Sequence, residues 1–190
     1  LKRSSDSVEA ADGLLKDKLT LSNMQGVLER NQDGNIVWNS TAGTNNTQWT
    51  GLLSRQLCLL DALNAYRQTG KTQYLTFIQG YLWDWLVHND LPIKEIERFS
   101  KGKWADNIAP QWRTLDSAIR ARAWIKLWEN WKGEPVNKKT RFLMLMSLLD
   151  HADYLRWHHR SDGNRKVNEM DGLIQISIVF PKNSDSNLWY

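Results

Sequence analysis

The sequence predicts an all-α protein made of stacked antiparallel helical hairpins, and three observations carry that prediction. Apolar residues recur at helical spacing over long stretches of the second half of the chain. Glycine and proline stand at the ends of those stretches, where helices stop. Few segments alternate with period two, so no sheet is expected.

The first 35 residues read as a less defined N-terminal extension, with a helical pattern over Val8 to Leu21 and turn composition over Asn31 to Asn35. From Gly51 to Gly70 the residues Leu53, Leu57, Leu60, Leu63 and Tyr66 mark one helix, with Gly70 as its stop. After a turn around Thr69 to Lys71, a second helix runs from Thr72 to His88 and carries Tyr74, Phe77, Ile78, Tyr81, Leu82 and Trp85. The two form the main hairpin, at about Leu52 to His88. Pro92, Gly102 and Pro110 make Asn89 to Gln111 a long connection. A third helix spans Trp112 to Trp131, with Leu115, Ile119, Trp124, Leu127, Trp128 and Trp131 on its apolar side, and ends at Gly133 and Pro135. A fourth covers Lys138 to His158, and a fifth opens near Gly163 and runs to Val179 before Pro181. No fixed repeat period joins them, which excludes a simple repeat array.

A chain of 190 residues and 22.2 kDa suffices for a single domain over 1–190. A formal charge of +4 suits an anionic partner without requiring one. Eleven tryptophans are an unusual load, and most are expected in the core, although indoles also suit sugar faces. The single cysteine, Cys58, lies in an apolar run and reads as a buried, inert thiol. No stretch approaches the ~18 consecutive apolar residues of a membrane span, and the dispersed basic residues form no nucleic-acid motif. Neither a membrane nor a nucleic acid is an expected partner.

Three clusters give the chain a family resemblance. The first is Trp38, Trp49, Leu53, Arg55, Ala65, Tyr66, Thr69, Gly70, Tyr74 and Trp85. The second is Trp112, Leu115, Asp116, Arg120 and Trp124. The third is Gly163, Asn164, Arg165, Glu169, Met170, Gly172 and Leu173, closed by Phe180, Pro181 and Trp189. In this order they resemble the heparinase II/III group of polysaccharide lyases. The resemblance implies an incomplete (α/α) toroid, normally followed by a large antiparallel β-sheet domain that closes the substrate cleft. That sheet domain and an anionic polysaccharide are the implied partners. The expected location is periplasmic or secreted, and no cofactor or metal is expected.

Such lyases cut uronic-acid polymers by β-elimination: a base takes the C5 proton and the C4 oxygen leaves. Charge develops next to a carboxylate, so the step needs donors that neutralise it. By resemblance, Asn164 is the neutraliser and Arg165 stands beside it. An arginine cannot act as a base at neutral pH but can hold a carboxylate through two parallel bonds. The proton-transferring tyrosine of the family is expected beyond Tyr190.

The residues themselves leave alternatives open. Asn164 could cap the fifth helix ahead of Val167, Met170, Ile174 and Ile178. Glu169 is a weaker substrate-binding candidate, with a solvated surface position as its plain reading. Trp112, Asp116, Arg120 and Trp124 recur every four residues and could line a cleft, or Asp116 and Arg120 could pair internally above packed indoles. His159 lies near the Asn164 loop and is a further substrate-binding candidate, whereas His151, His158 and His159 lack the partners of a metal site. Competing functions are a non-catalytic helical module binding glycan or protein, and an α/α-toroid glycoside hydrolase, which would need two carboxylates across a cleft.

Overall fold

The computed structural model describes residues 4–44, 46, 48–92, 110–131, 134 and 136–181. Most of the long connection expected between Asn89 and Gln111, the stop at Gly133 and Pro135, and the closing Trp189 and Tyr190 lie outside the described residues.

Helix α1 (Ser4–Leu14) is followed by a hairpin of β1 (Lys18–Leu21) and β2 (Met24–Val27), paired antiparallel with Leu21 opposite Met24. The hairpin corrects two expectations, that no sheet would occur and that a helix would continue to Leu21. Leu19 and Leu21 alternate inward with Lys18 and Thr20 outward, and four residues are too few for that period to stand out from the helical pattern around them. Asp17 and Ser22, both at positive φ, bracket β1.

The helix expected from Gly51 to Gly70 is two, α2 (Gln48–Ser54) and α3 (Cys58–Thr69). Gln56 breaks the run with a φ of 56°. Its buried side chain accepts a hydrogen bond from Trp124 Nε1 at 2.9 Å, and the break leaves the Ser54 carbonyl outside the helix ladder, where Arg120 donates to it. A left-handed Gly70 ends α3, its N–H returning to the Tyr66 carbonyl, and α4 (Gln73–His88) folds back as the hairpin predicts. The expected third, fourth and fifth helices follow as α5 (Thr114–Asn130), α6 (Lys138–His158) and α7 (Gly163–Val179). Pro110–Trp112 is a 3-10 turn ahead of α5. Asn137 caps α6 by accepting from the N–H groups of Lys139 and Thr140.

Side-chain bonds give the helix directions. Ser54 and Gln56, ahead of α3, meet Arg120 and Trp124, while Tyr66 and Arg67 at its far end meet Glu134 and Asn130. Helix α3 therefore runs parallel to α5. Thr114 bonds to Glu169 and Ala118 packs on Gly172, so α7 runs parallel to α5 as well. A Cβ on Gly172 would come within 2.8 Å of the Ala118 Cβ, which sets how closely α5 and α7 approach. Helices α4 and α6 return in the opposite direction. The result is the mostly helical fold of hairpins that the sequence predicts, with α3, α5 and α7 presenting their N-terminal ends on one side.

Six of the nine described tryptophans are buried, namely Trp38, Trp49, Trp85, Trp112, Trp124 and Trp131, as expected of a core role. Trp38 packs edge-on against Tyr81 and Trp85 and donates to Asp84, whose other oxygen takes the N–H of Ile36. This bond pins the N-terminal segment to α4. Cys58 is buried and its thiol is pushed up to about 12, chiefly by desolvation, in keeping with an inert role. Among the described residues no helix is long and apolar enough to cross a membrane.

Candidate functional site

The stripe on α5 is packed against other parts of the fold, with Trp112 also at the edge of a small cavity beside Leu86, Asn89 and Asp150. Trp112, Arg120 and Trp124, expected as substrate-binding residues, are all buried. Their side of α5 faces other helices. The Arg120 guanidinium lies between the rings of Trp85 and Trp112, 4.2 and 4.9 Å from their centroids. Its Nε donates to His151 Nε2 at 2.9 Å, and its Nη1 donates to the carbonyls of Ser54 and Gln111 at 2.9 and 3.0 Å. Burial lowers the Arg120 pKa to about 9, opposed by the charge of Asp116, so the group stays cationic at neutral pH.

His151 must accept from Arg120 through Nε2, so its proton sits on Nδ1 and is donated to the Ser147 carbonyl at 2.5 Å. Burial first and the Arg120 charge second hold its pKa well below 6.5, with the Ser147 bond opposing them. A folded-state pKa below the unfolded value means that stability is complete above about pH 6.5, the ordinary histidine value, and declines as pH falls. His158, half-buried, is shifted the same way by desolvation. The midpoint of thermal unfolding is expected to drop on moving from about pH 7 to about pH 5, with up to about 1.4 kcal/mol lost per pH unit for the fully buried His151 proton and less for His158, which solvent screens. An unchanged midpoint would show that the folded core accepts the proton.

The internal Asp116 to Arg120 pair does not form either. Asp116, fully buried, accepts from Arg55 Nε at 2.7 Å and Arg113 Nε at 2.5 Å. Those arginines approach from the α2 end and from the residue ahead of α5, which sequence spacing within one helix cannot show.

Glu169, the weaker substrate-binding candidate, is buried, which corrects the solvated surface position as its plain reading. Oε1 accepts from the Thr114 hydroxyl at 2.5 Å and Oε2 from the Arg160 N–H at 2.7 Å. The carboxylate ties the start of α5 to the turn that leads into α7. Glu169 thus supports that turn from behind.

Asn164 is the second residue of α7 and is exposed. The cap position belongs to Asp162, whose side chain makes no capping bond, and Gly163 enters the helix at a φ of 74°. The carbonyl of Asn164 accepts from Asn168 Nδ2 at 2.9 Å, and no capping bond engages its amide side chain. Arg165 follows, half-buried. His159 closes α6 with Nδ1 against the carbonyls of Leu155 and Arg156 at 3.0 and 3.1 Å, leaving Nε2 as the ring nitrogen a ligand could reach.

The structure therefore brings His159, Asn164 and Arg165 together on one turn and places Arg55 and Arg113 at the same end of the bundle. The starts of α5 and α7 lie close there, joined through Thr114 and Glu169, and helix N-termini carry positive potential. Among the described residues no group of histidine, cysteine or carboxylate side chains could hold a metal ion.

The model for the heparinase II/III N-terminus matches residues 2–190. The chain belongs to the heparinase II/III N-terminal family. Its fold is shared by the heparan sulfate lyase HepC mutant from Pedobacter heparinus, with a TM-score of 0.77 at 22% identity over 97% of this chain and 27% of that one. A structure of heparinase III gives a TM-score of 0.79 at 19% identity, over 96% of this chain and 28% of that one. A heparinase III gene product with methylated lysines gives 0.76 at 22% identity, over 97% and 29%. The chain thus spans less than a third of the length of those structures. No curated protein matches it. The relation to polysaccharide lyases and the toroidal helical fold stand on these matches.

Proposed function

We propose that this chain is the helical part of a lyase that cuts an anionic, uronic-acid-containing polysaccharide by β-elimination. The observation that supports this most within the family is the placement of Asn164. It is an exposed amide in the first turn of a helix, unspent on capping, at the electropositive end of the bundle. In this reading its Nδ2 donates to the substrate carboxylate, and Arg165 adds a fixed cation to the same charge. His159 contacts substrate from the other end of the same turn, and Glu169 holds the turn in place.

In the reaction a base removes the C5 proton, electrons form the C4–C5 double bond, and the C4–O bond breaks with protonation of the leaving oxygen. Donors aimed at the carboxylate strengthen as charge develops on it. The base and acid belong to a downstream region, together with the β-sheet domain that closes the cleft, and the location is periplasmic or secreted.

The 190-residue chain alone is expected to release no unsaturated uronate product from polyuronates, whereas a longer form carrying the downstream region releases it. Turnover by the short chain at the rate of the longer form would place the base within these residues and overturn the assignment.

A further inference from the structure

We propose that the groove between α4 and the start of α6, floored by Gly80 and walled by Trp83 and Lys139, binds an acidic sugar unit of the polymer, remote from the Asn164 turn. The choice of an acidic glycan as occupant rests on the reading of the chain as part of an anionic-polysaccharide lyase.

The groove encloses about 380 Å³, and its lining includes Thr76, Gln79, Gly80 and Trp83 of α4 with Asn137 and Lys139 at the start of α6. Gly80 carries the argument. It sits in the middle of α4, where glycine is less favourable than any residue but proline. Gly51 and Gly172 are kept as glycine by neighbours that a Cβ would strike. A Cβ on Gly80 would meet nothing within 4 Å among the described residues, and its φ is not positive. Neither packing nor backbone conformation among those residues calls for glycine there. A bare stretch of helix does let a flat ring approach the backbone closely.

The groups around that floor suit an acidic sugar. Trp83 follows one turn after Gly80 and is 36% exposed, and an indole packs well on the C–H face of a pyranose. Lys139 Nζ lies 4.8 Å from the centroid of the Trp83 ring, which sets a cation beside the floor for a carboxylate or sulfate. Gln79 accepts the Asn137 N–H through Oε1 at 2.9 Å, and Asn137 accepts the N–H groups of Lys139 and Thr140 through Oδ1. Both amide oxygens are committed to the start of α6, and both NH2 groups remain as donors to sugar oxygens. A structural role accounts for these backbone bonds and for the contact of Lys139 with Trp83. It does not account for Gly80. The groove lies at the start of α6 and the Asn164 turn follows its end, about 30 Å away along a helix of 21 residues. A long polymer with repeated negative charges meets both places.

The test is amide NMR of the isotope-labelled 190-residue chain during titration with two probes. One is an unsulfated galacturonate tetrasaccharide and the other a heparin-derived tetrasaccharide, each too short to span α6. The Gly80 backbone amide and the Gln79 side-chain amide report the groove, and the Asn164 side-chain amide reports the other place. Saturable shifts at Gly80 and Gln79 are expected with at least one probe. A response to galacturonate identifies a carboxylate as sufficient, and a response to the heparin-derived probe alone identifies a sulfate. Lys139→Gln is expected to weaken binding at the groove roughly ten-fold to a hundred-fold, as loss of a charge-assisted hydrogen bond implies, and Trp83→Ala by a similar factor. Gly80→Leu is the decisive variant. It places a good helix former in open space, so the melting temperature should hold or rise, yet it fills the floor and should abolish the Gln79 response. An unchanged Gln79 titration in a folded Gly80→Leu chain would overturn the proposal. Shifts confined to Asn164 would also overturn it while leaving the lyase reading intact. Silence of all three reporters with both probes would overturn it too, and the products of the longer form then decide the lyase reading on their own. If Trp83→Ala does not fold, Gly80→Leu and Lys139→Gln decide.

Discussion

Replacing Arg120 with Met is expected to lower stability more than any other single change at a polar residue of this chain. Methionine approximates the length of the side chain and fits between the indoles of Trp85 and Trp112, so the effect is not one of a large cavity. What is lost is the donor set. The Ser54 carbonyl and the Nε2 of His151 are left as buried acceptors with no donor, and the part-buried Gln111 carbonyl loses its donor as well. Stranding such partners costs about 3–5 kcal/mol, or roughly 10 °C in melting temperature for a domain of this size. Arg120→Lys should recover part of the loss, since an ammonium keeps the charge but cannot reach all three acceptors with a fixed fork. A melting temperature within two or so degrees of wild type for Arg120→Met would mean that water replaces the guanidinium.

Asn164→Ala in an active longer form is expected to give the opposite signature, a large loss of rate with little loss of stability. The side chain is exposed and makes no capping bond, so the ~0.5–2 kcal/mol that a lost cap costs should not be incurred. Removing a donor aimed at developing charge costs roughly 10²–10³ in turnover. The effect should fall on kcat more than on KM, because the bond strengthens as the carbanion forms. Near-normal kcat in a folded Asn164→Ala protein would remove Asn164 from the chemistry.

The contrast between these two residues shows what the sequence could and could not reveal. The helices and their order were legible because long apolar periods, Gly70 and Pro181 are local signals. Which face of a helix is covered was less so. Val167, Ile174 and Ile178 make a clear apolar series, yet they are 68%, 43% and 69% exposed. The inward face of α7 carries Glu169, Gly172, Leu173 and Ile176 instead. Close packing of Gly172 on Ala118 and the bonds of Glu169 set that rotation, and both depend on α5. Leu57 likewise fits the helical period but is 46% exposed, because Gln56 interrupts the helix to meet Trp124 and frees a carbonyl for Arg120.

The partners of the polar stripe on α5 were hidden for the same reason. Spacing placed Asp116 and Arg120 on one side of a helix, where mutual pairing or exposure to a cleft are the local possibilities. The partners that decide the matter are His151, Arg55 and backbone carbonyls from elsewhere in the chain. The turn bearing His159, Asn164 and Arg165 was legible only through family resemblance, since an exposed asparagine near a helix start carries no chemical signal of its own.

The most direct measurement is the structure of the products released from a polyuronate by the active longer form. β-Elimination leaves a C4–C5 double bond on the new non-reducing end, read by ultraviolet absorbance and by a product mass lacking one water relative to hydrolysis. Unsaturated products are expected, with a yield that collapses in Asn164→Ala. Saturated products, with solvent oxygen incorporated at the cleaved bond, would contradict it and indicate a glycoside hydrolase.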